Sequence, residues 1–370
     1  MTMKAAVYRS FGGPIRIEEV PLPAVSTDGV LIQVMATGVC RSDWHGWKGH
    51  DDDVHQHGLP FVPGHELSGI VAQVGSAVTA LKAGDRVVAP FILSCGTCRY
   101  CQMNRSTVCL AQQQPGFTLQ GSFAEYVHLP RAARNVKKIP AAVSFVQAAA
   151  LGCRFTTAHR AVLQQGRLTK GETLAVFGCG GVGLSCIMIA AAAGASKIIA
   201  VDVSLEALQK ARELGATHTV QSQRDAPNDA DAVRRQVKAL CEQQHHHDQG
   251  ADVCIDAAGF AATCENAVYC TRRAGRMVQV GLPIGDVPPV VPMGLVAGWE
   301  IEIYGSHGFS SDDLPGLLDM VAQGGLDPGR LVEREVTLAE GAQAIQDMDK
   351  GSPLGITMVT KFNQLVESKL

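Results

Sequence analysis

Apolar positions in the first part of the chain fall in short runs punctuated by Gly and Pro, at 30–36, 68–74 and 86–89 for example, and predict strands of a mostly β region. The rhythm changes near Gly171. From there a strand at 173–177 leads to an apolar helix at 184–193, a strand at 197–201 and a helix at 205–214 capped by Ser204 and Gly215. That alternation is βαβ grammar. Apolar runs at 251–256, 276–280 and 300–304 supply further parallel strands, enough for the six-stranded sheet of a doubly wound α/β fold. The chain closes on a helix, a strand and a terminal extension. Residues 224–249 are polar, and their His245, His246 and His247 read as a solvated helix end and loop, because adjacent histidines on such a segment lack fixed ligand geometry.

Composition narrows the class. The 370 residues suffice for two domains, and 46% hydrophobic with 18% charged residues is ordinary for a globular chain. A net charge of −3 without a basic stripe argues against nucleic acid as a partner. The stretch after Met1 lacks the long apolar core of a signal peptide, and the Ala-rich run at 184–193 is too short to span a bilayer. With twelve cysteines suited to a reducing compartment, the expectation is a cytoplasmic protein with no membrane partner.

Four of those cysteines, Cys95, Cys98, Cys101 and Cys109, follow the pattern C-x2-C-x2-C-x7-C. Four thiolates fill a tetrahedral zinc site completely, so such a metal staples the backbone and offers no vacancy to a substrate. A disulfide-bonded or merely buried cluster is the alternative. A zinc ribbon that touches nucleic acid is another, but residues 96–110 offer only Arg99, Arg105 and Tyr100 for that purpose. Cys40 in GVCRSDWHG, His65 in PGHELSG and Cys153 in LGCRFTTAH make a second candidate set. Three protein ligands and one open position describe a catalytic zinc, although either cysteine alone reads as a buried apolar thiol.

A strand TLAVF runs into Gly178-x-Gly180-x-x-Gly183 and then an apolar helix, the context in which glycines let the backbone approach a pyrophosphate at a helix N-terminus. Asp202, at the end of the next strand, is placed to accept hydrogen bonds from a ribose diol and to repel a 2′-phosphate. NAD is favoured over NADP. Cys179 inside the loop reads as packing.

Taken in order, GVCRSDWH, the GHELSGIV segment, the four-cysteine lobe, LGCRFTTA and VFGCGGVGLS resemble the zinc-dependent alcohol dehydrogenases of the medium-chain dehydrogenase/reductase superfamily over nearly the whole chain. The resemblance implies a GroES-like catalytic domain at 1–153 and 305–370, carrying a zinc lobe at about 94–110, around a Rossmann domain at 154–304. Substrate, a small alcohol or aldehyde, would sit in the cleft between them. It also implies two zinc ions per subunit. Cys40, His65 and Cys153 resemble the catalytic ligands, with Glu66 beside them as a carboxylate near the metal and Asp43 as the group that orients the ligating histidine.

In the implied mechanism zinc lowers the pKa of a bound hydroxyl, as it lowers that of water from about 15.7 to about 7, and hydride then passes to nicotinamide. Ser42 resembles the hydroxyl that accepts the substrate proton, and His45 the base that returns it to solvent by way of the cofactor ribose. Arg41 matches a pyrophosphate contact. Thr157, Val182, Gly181, Val280 and Leu282 match positions beside the cofactor, and Phe91 one in the substrate pocket, which Trp44 and Trp47 would narrow. One departure stands out: many relatives carry a basic residue before the last strand, where this chain has Ile356. The short segment between Cys109 and Cys153 resembles the tetrameric branch, so a homotetramer is expected. The competing reading is a polyol or amino-alcohol dehydrogenase of the same superfamily, in which glutamate commonly replaces the third ligand, here Cys153. Which alcohol is used is not legible at this level.

Overall fold

In a computed structural model the chain separates into two compact units, Met1–Thr156 together with the chain from Gly308 onward, and Thr157–His307. The structure describes residues 1–223, 229–241, 250–283, 287–351 and 353–362, so His245, His246 and His247 lie outside the described residues. Along the chain the first unit contributes β1 (Thr2–Val7), β2 (Arg16–Pro21), β3 (Val30–Val39), β4 (Glu66–Val74), β5 (Arg86–Ala89), β6 (Tyr126–Leu129) and β7 (Lys137–Lys138). The second holds β8 (Thr173–Phe177), β9 (Lys197–Asp202), β10 (His218–Gln221), β11 (Ala251–Asp256), β12 (Thr271–Gln279) and β13 (Glu302–Gly305). The chain then returns to the first unit for β14 (Val332–Thr337) and β15 (Ile356–Lys361).

In the first unit β1 and β2 form an antiparallel ribbon, and a second sheet runs β14-β15-β3-β4-β5-β7, with β6 also paired to β3. Alternate residues of β3, Val30, Ile32 and Val34, pack with Leu67, Val71, Val87 and Leu129 in one core, as the period of a strand requires. Each such side chain contributes about 1.5–3 kcal/mol on burial. A second core holds Tyr8, Trp47, Phe61, Phe123, Ile345 and Val359. The C-terminal part is richer than the expected helix and strand, since helices Leu314–Ala322 and Leu338–Asp347 accompany β14 and β15.

The second unit contains the predicted six-stranded parallel sheet, in the order β10-β9-β8-β11-β12-β13. Neighbours reverse direction of progression at β8 and β11, the switch point outside which open α/β sheets bind ligands. β8 and β11 are buried throughout, which is why they read as unbroken apolar runs. The helix after β8 spans Gly181–Ala192, because the glycine loop passes directly into it. The strand expected at 300–304 is shifted to β13, since Glu300 takes a left-handed conformation (φ 52) at the end of the helix Met293–Trp299. Within the polar stretch 224–249, Asp229–Cys241 is a helix that buries Val233, Val237 and Cys241 at intervals of four. Among the described residues no helix is long and apolar enough to cross a membrane.

Candidate functional site

β3 ends at Val39 and delivers Cys40 as the N-cap of the helix Arg41–Lys48; His65 immediately precedes β4; Cys153 lies in the π-helical turn Leu151–Phe155. The donor atoms of Cys40, His65, Glu66 and Cys153 all lie within 4.8 Å of one another. Buried Asp43 organises them. Its Oδ1 accepts from His65 Nδ1 at 2.9 Å and from the Gly64 amide at 3.0 Å, and its Oδ2 accepts from the Cys40 amide at 2.9 Å. A proton held on Nδ1 leaves Nε2 with a lone pair, and His65 Nε2 is buried without a protein partner. An orphaned nitrogen beside two thiols fits a zinc ligand set.

The local field points the same way. The Cys153 thiol donates toward Cys40 and holds it well below its ordinary value despite burial, with Arg154 and His65 adding to the effect, while Cys153 itself is pushed up. Burial opposes charge on His65, yet Asp43 and Cys40 carry its pKa well above the ordinary value. A field that draws a proton to His65 also favours a dication in its place. Glu66 is fully buried and fits a slot between two glycines: a Cβ on Gly38 would come 2.2 Å from its Oε2, and one on Gly152 would come 2.5 Å from its Cβ. Arg154 Nη2 and Nε bond its two oxygens at 3.1 and 3.2 Å, and the Cys153 amide donates to Oε1 at 3.2 Å.

Around the cluster, Ser42 Oγ lies 3.8 Å from Cys40 Sγ. Half-buried His45 meets His50 through their Nδ1 atoms at 3.2 Å, and burial, then Arg41 and His50, lower its pKa. Arg41 donates to the Met348 carbonyl at 2.7 Å and stacks 3.5 Å over Trp44, whose indole donates to Asp349. The rings of Phe91 and Phe117 stand 6.1 and 5.1 Å from that of His65, forming an aromatic wall. Trp47 corrects its expectation: it is 3% exposed within the core, its indole spent on the Gly13 carbonyl. Ile356 is buried in β15 and supplies no cation. Arg154 and Phe117 escaped sequence reasoning; for Arg154 the usable signal was its place directly after Cys153.

The four-cysteine lobe has its own geometry. A zinc tetrahedron with Zn–S of about 2.3 Å requires S···S edges of about 3.8 Å. The observed separations are 3.4 Å for Cys95–Cys109, 3.6 Å for Cys98–Cys101, 3.8 Å for Cys98–Cys109 and 4.0 Å for Cys95–Cys101. They bracket the requirement. Amide and hydroxyl donation from Thr97, then the Cys98 amide, lowers Cys95 to about 5, so it is a thiolate at neutral pH. Reciprocal bonds between Leu93 and Gln113, at 2.8 and 3.0 Å, close the lobe's base.

In the second unit Gly178 has a positive φ of 94, and a Cβ on Gly183 would come 1.8 Å from the Gly178 carbonyl oxygen, so both positions exclude a side chain. At Gly180, the N-cap of Gly181–Ala192, a Cβ would meet nothing within 4 Å, which is the open approach a pyrophosphate needs. Val182 follows in the first turn. Asp202 accepts from the Cys179 amide at 2.6 Å and the Ser204 amide at 2.8 Å. It lines a cavity of about 210 Å³ with Gly178, Val203, Ser222, Asp229 and Thr263. Asp229 was not foreseen; it is fixed by Ser222 Oγ at 2.6 Å and the Gln223 amide at 2.7 Å. Thr157 is buried, Val280 donates to the Asp256 carbonyl just past β12, and Leu282 is 76% exposed. Cys179 is fully buried with its pKa pushed up by burial, an inert thiol.

A parallel nucleotide-binding sheet joined in one chain to a β-rich unit with two zinc-type donor clusters defines a zinc-binding dehydrogenase. Residues 26–141 match the model of the alcohol dehydrogenase GroES-like domain, and residues 181–323 that of the zinc-binding dehydrogenases. An alcohol dehydrogenase of Geobacillus stearothermophilus is 35% identical over 87% of this chain and 90% of its own length. A sorbitol dehydrogenase of Bacillus subtilis (strain 168) is 33% identical over 93% of each. Among solved structures, alcohol dehydrogenase TADH from Thermus sp. ATN1 superposes with a TM-score of 0.84 at 30% identity, covering 97% of this chain and 100% of that one. The chain belongs to the zinc-dependent alcohol dehydrogenases of the medium-chain dehydrogenase/reductase superfamily.

Proposed function

We propose that this chain is a zinc- and NAD-dependent alcohol dehydrogenase that interconverts an alcohol with its aldehyde or ketone, using Cys40, His65 and Cys153 for the catalytic zinc and Cys95, Cys98, Cys101 and Cys109 for the structural one. The observation that carries the reading is the buried, unpartnered Nε2 of His65 beside two thiols, with Asp43 holding the opposite nitrogen. When bound, zinc supplies a Lewis acid for the substrate hydroxyl and NAD a hydride acceptor.

The chain's own residues do the rest. Ser42 takes the hydroxyl proton, and His45, kept neutral by burial and by neighbouring Arg41, is ready to accept a proton and release it toward His50. Asp43 fixes the His65 tautomer. Phe91 and Phe117 give the site an apolar wall that excludes water. Gly178, Gly180, Gly181, Val182 and Gly183 cradle the cofactor phosphates, and Asp202 binds the adenosine ribose. Thr157, Val280 and Leu282 border the cofactor.

The assembly is a cytoplasmic homotetramer. Twelve unpaired thiols support a reducing compartment. Exposed Met103, Val108 and Leu110 on the cysteine lobe, and Leu282, Val287, Val290 and Met293 in the second unit, support self-association. Similarity to the sorbitol dehydrogenase supports a polyol as the second substrate class. The test is NADH formation with short, branched and benzylic alcohols and sorbitol, beside a Cys153→Ala variant that retains its structural zinc. Turnover lost in the variant is expected; no turnover from an enzyme loaded with both zinc and NAD overturns the reading.

A further inference from the structure

Arg154 is an arginine only 6% exposed, and its contacts converge on the segments that carry the three proposed ligands of the catalytic zinc. Its Nε and Nη2 donate to the two oxygens of Glu66, the residue after His65, at 3.2 and 3.1 Å. Nη2 donates also to the carbonyl of Val39, the residue before Cys40, at 2.7 Å. Its own backbone follows Cys153, whose amide donates to Glu66 at 3.2 Å. Nη1 reaches the Gly355 carbonyl at 3.3 Å, just before β15. One planar guanidinium therefore touches the chain neighbours of two proposed ligands and is carried by the chain neighbour of the third.

We propose that Arg154 is a positioning residue that ties the three ligand-bearing segments into one frame and keeps Glu66 from the metal's open position, an inference that rests on Cys40, His65 and Cys153 holding zinc. Charge and geometry both enter. Two thiolates and the carboxylates of Glu66 and Asp43 concentrate four negative charges, of which a zinc ion and one guanidinium offset three. Without Arg154 the Glu66 oxygens, one of which already lies within 4.8 Å of the other donors, lose the fork that holds both of them, and the Cys153 amide remains on Oε1 alone. A lysine in its place restores the charge but not the fork that spans Glu66 and Val39 together.

The experiment compares holoenzymes of wild type, Arg154→Lys and Arg154→Gln by zinc content per chain and by the rate of zinc release to an excess chromogenic chelator, with thermal melting as a control for folding. In both variants one zinc per chain should leave at least about tenfold faster than in wild type while the other leaves at the wild-type rate, the size expected for residues that orient metal ligands. Arg154→Lys decides the matter should the glutamine variant fail to fold. Release at the wild-type rate from Arg154→Lys overturns the clamp, as does equal acceleration of both zincs, which signals general loosening. A wild-type enzyme that holds only one zinc overturns the underlying ligand assignment instead.

Discussion

Replacing Asp43 with asparagine exchanges one carboxylate oxygen for an NH2 group and reverses part of the hydrogen-bond logic at the ligand cluster. Both oxygens now accept, Oδ1 from His65 and Gly64 and Oδ2 from Cys40. An amide can accept on one side only. If its carbonyl faces His65, the Cys40 amide points at an NH2; if it is turned, His65 and Gly64 lose their acceptor and His65 is free to carry its proton on Nε2, where it no longer ligates. One buried donor left unpaired costs about 1–3 kcal/mol, and exchange of a charged acceptor for a neutral one adds to that. A loss of about 2–5 kcal/mol follows, close to the cost of breaking a buried pair. At about 2–4 °C per kcal/mol for a unit of this size, the melting temperature should fall by roughly 4–20 °C. Zinc affinity at this site should drop about 10–100-fold. Differential scanning calorimetry and metal content after dialysis against chelator measure both. An Asp43→Asn enzyme that retains two zincs and melts within about 2 °C of wild type would refute the reasoning.

Three other outcomes follow from the same geometry. Gly152→Ala puts a methyl group 2.5 Å from Glu66 Cβ and 2.9 Å from its Cα, so overpacking should cost about 1–3 kcal/mol, read as a lower melting temperature; an unchanged melt contradicts the slot. His45 has a pKa lowered first by burial and then by Arg41 and His50, which keeps it neutral and proton-accepting to more acid pH than an ordinary histidine; His50→Ala should raise that pKa and move the acid limb of kcat/KM for alcohol oxidation to higher pH, whereas an unmoved limb dissociates His45 from the proton path. Asp202→Ser should raise the kcat/KM ratio of NADP to NAD, and adding Asp229→Ser, in the same cavity, should raise it further; a ratio that neither variant changes removes both carboxylates from cofactor selection.

What was legible in the sequence is what local chemistry writes there. β8, the glycine loop and β9 follow from a buried apolar run, a turn that excludes side chains and a second apolar run, all between Thr173 and Asp202. The cysteine lobe is legible for the same reason, because its four ligands share one short loop. Trp47 was misread because its spacing from Cys40 says nothing of the side of the helix it occupies; it faces the core with Gly46, while its neighbour Trp44 stacks under Arg41. The helix Asp229–Cys241 was not drawn because its polar residues outnumber the apolar ones, which occur at every fourth position and suffice to dock it.

Arg154 shows why the remainder was out of reach. An arginine beside a cysteine reads as a surface charge until its partners are known, and those partners lie 88 and 115 positions away at Glu66 and Val39. Gly38 and Gly152 are equally mute in sequence: each is needed only because Glu66 occupies the space that their Cβ atoms would take. The same convergence gives meaning to the departure at Ile356. This position is fully buried in β15, and the carbonyl of Gly355 directly before it already accepts from Arg154. A basic side chain at this fully buried position would need a partner of its own or leave an uncompensated buried charge. The cation beside the donor cluster thus comes from the segment that carries Cys153, with Arg154 buried directly after that cysteine and paired to Glu66.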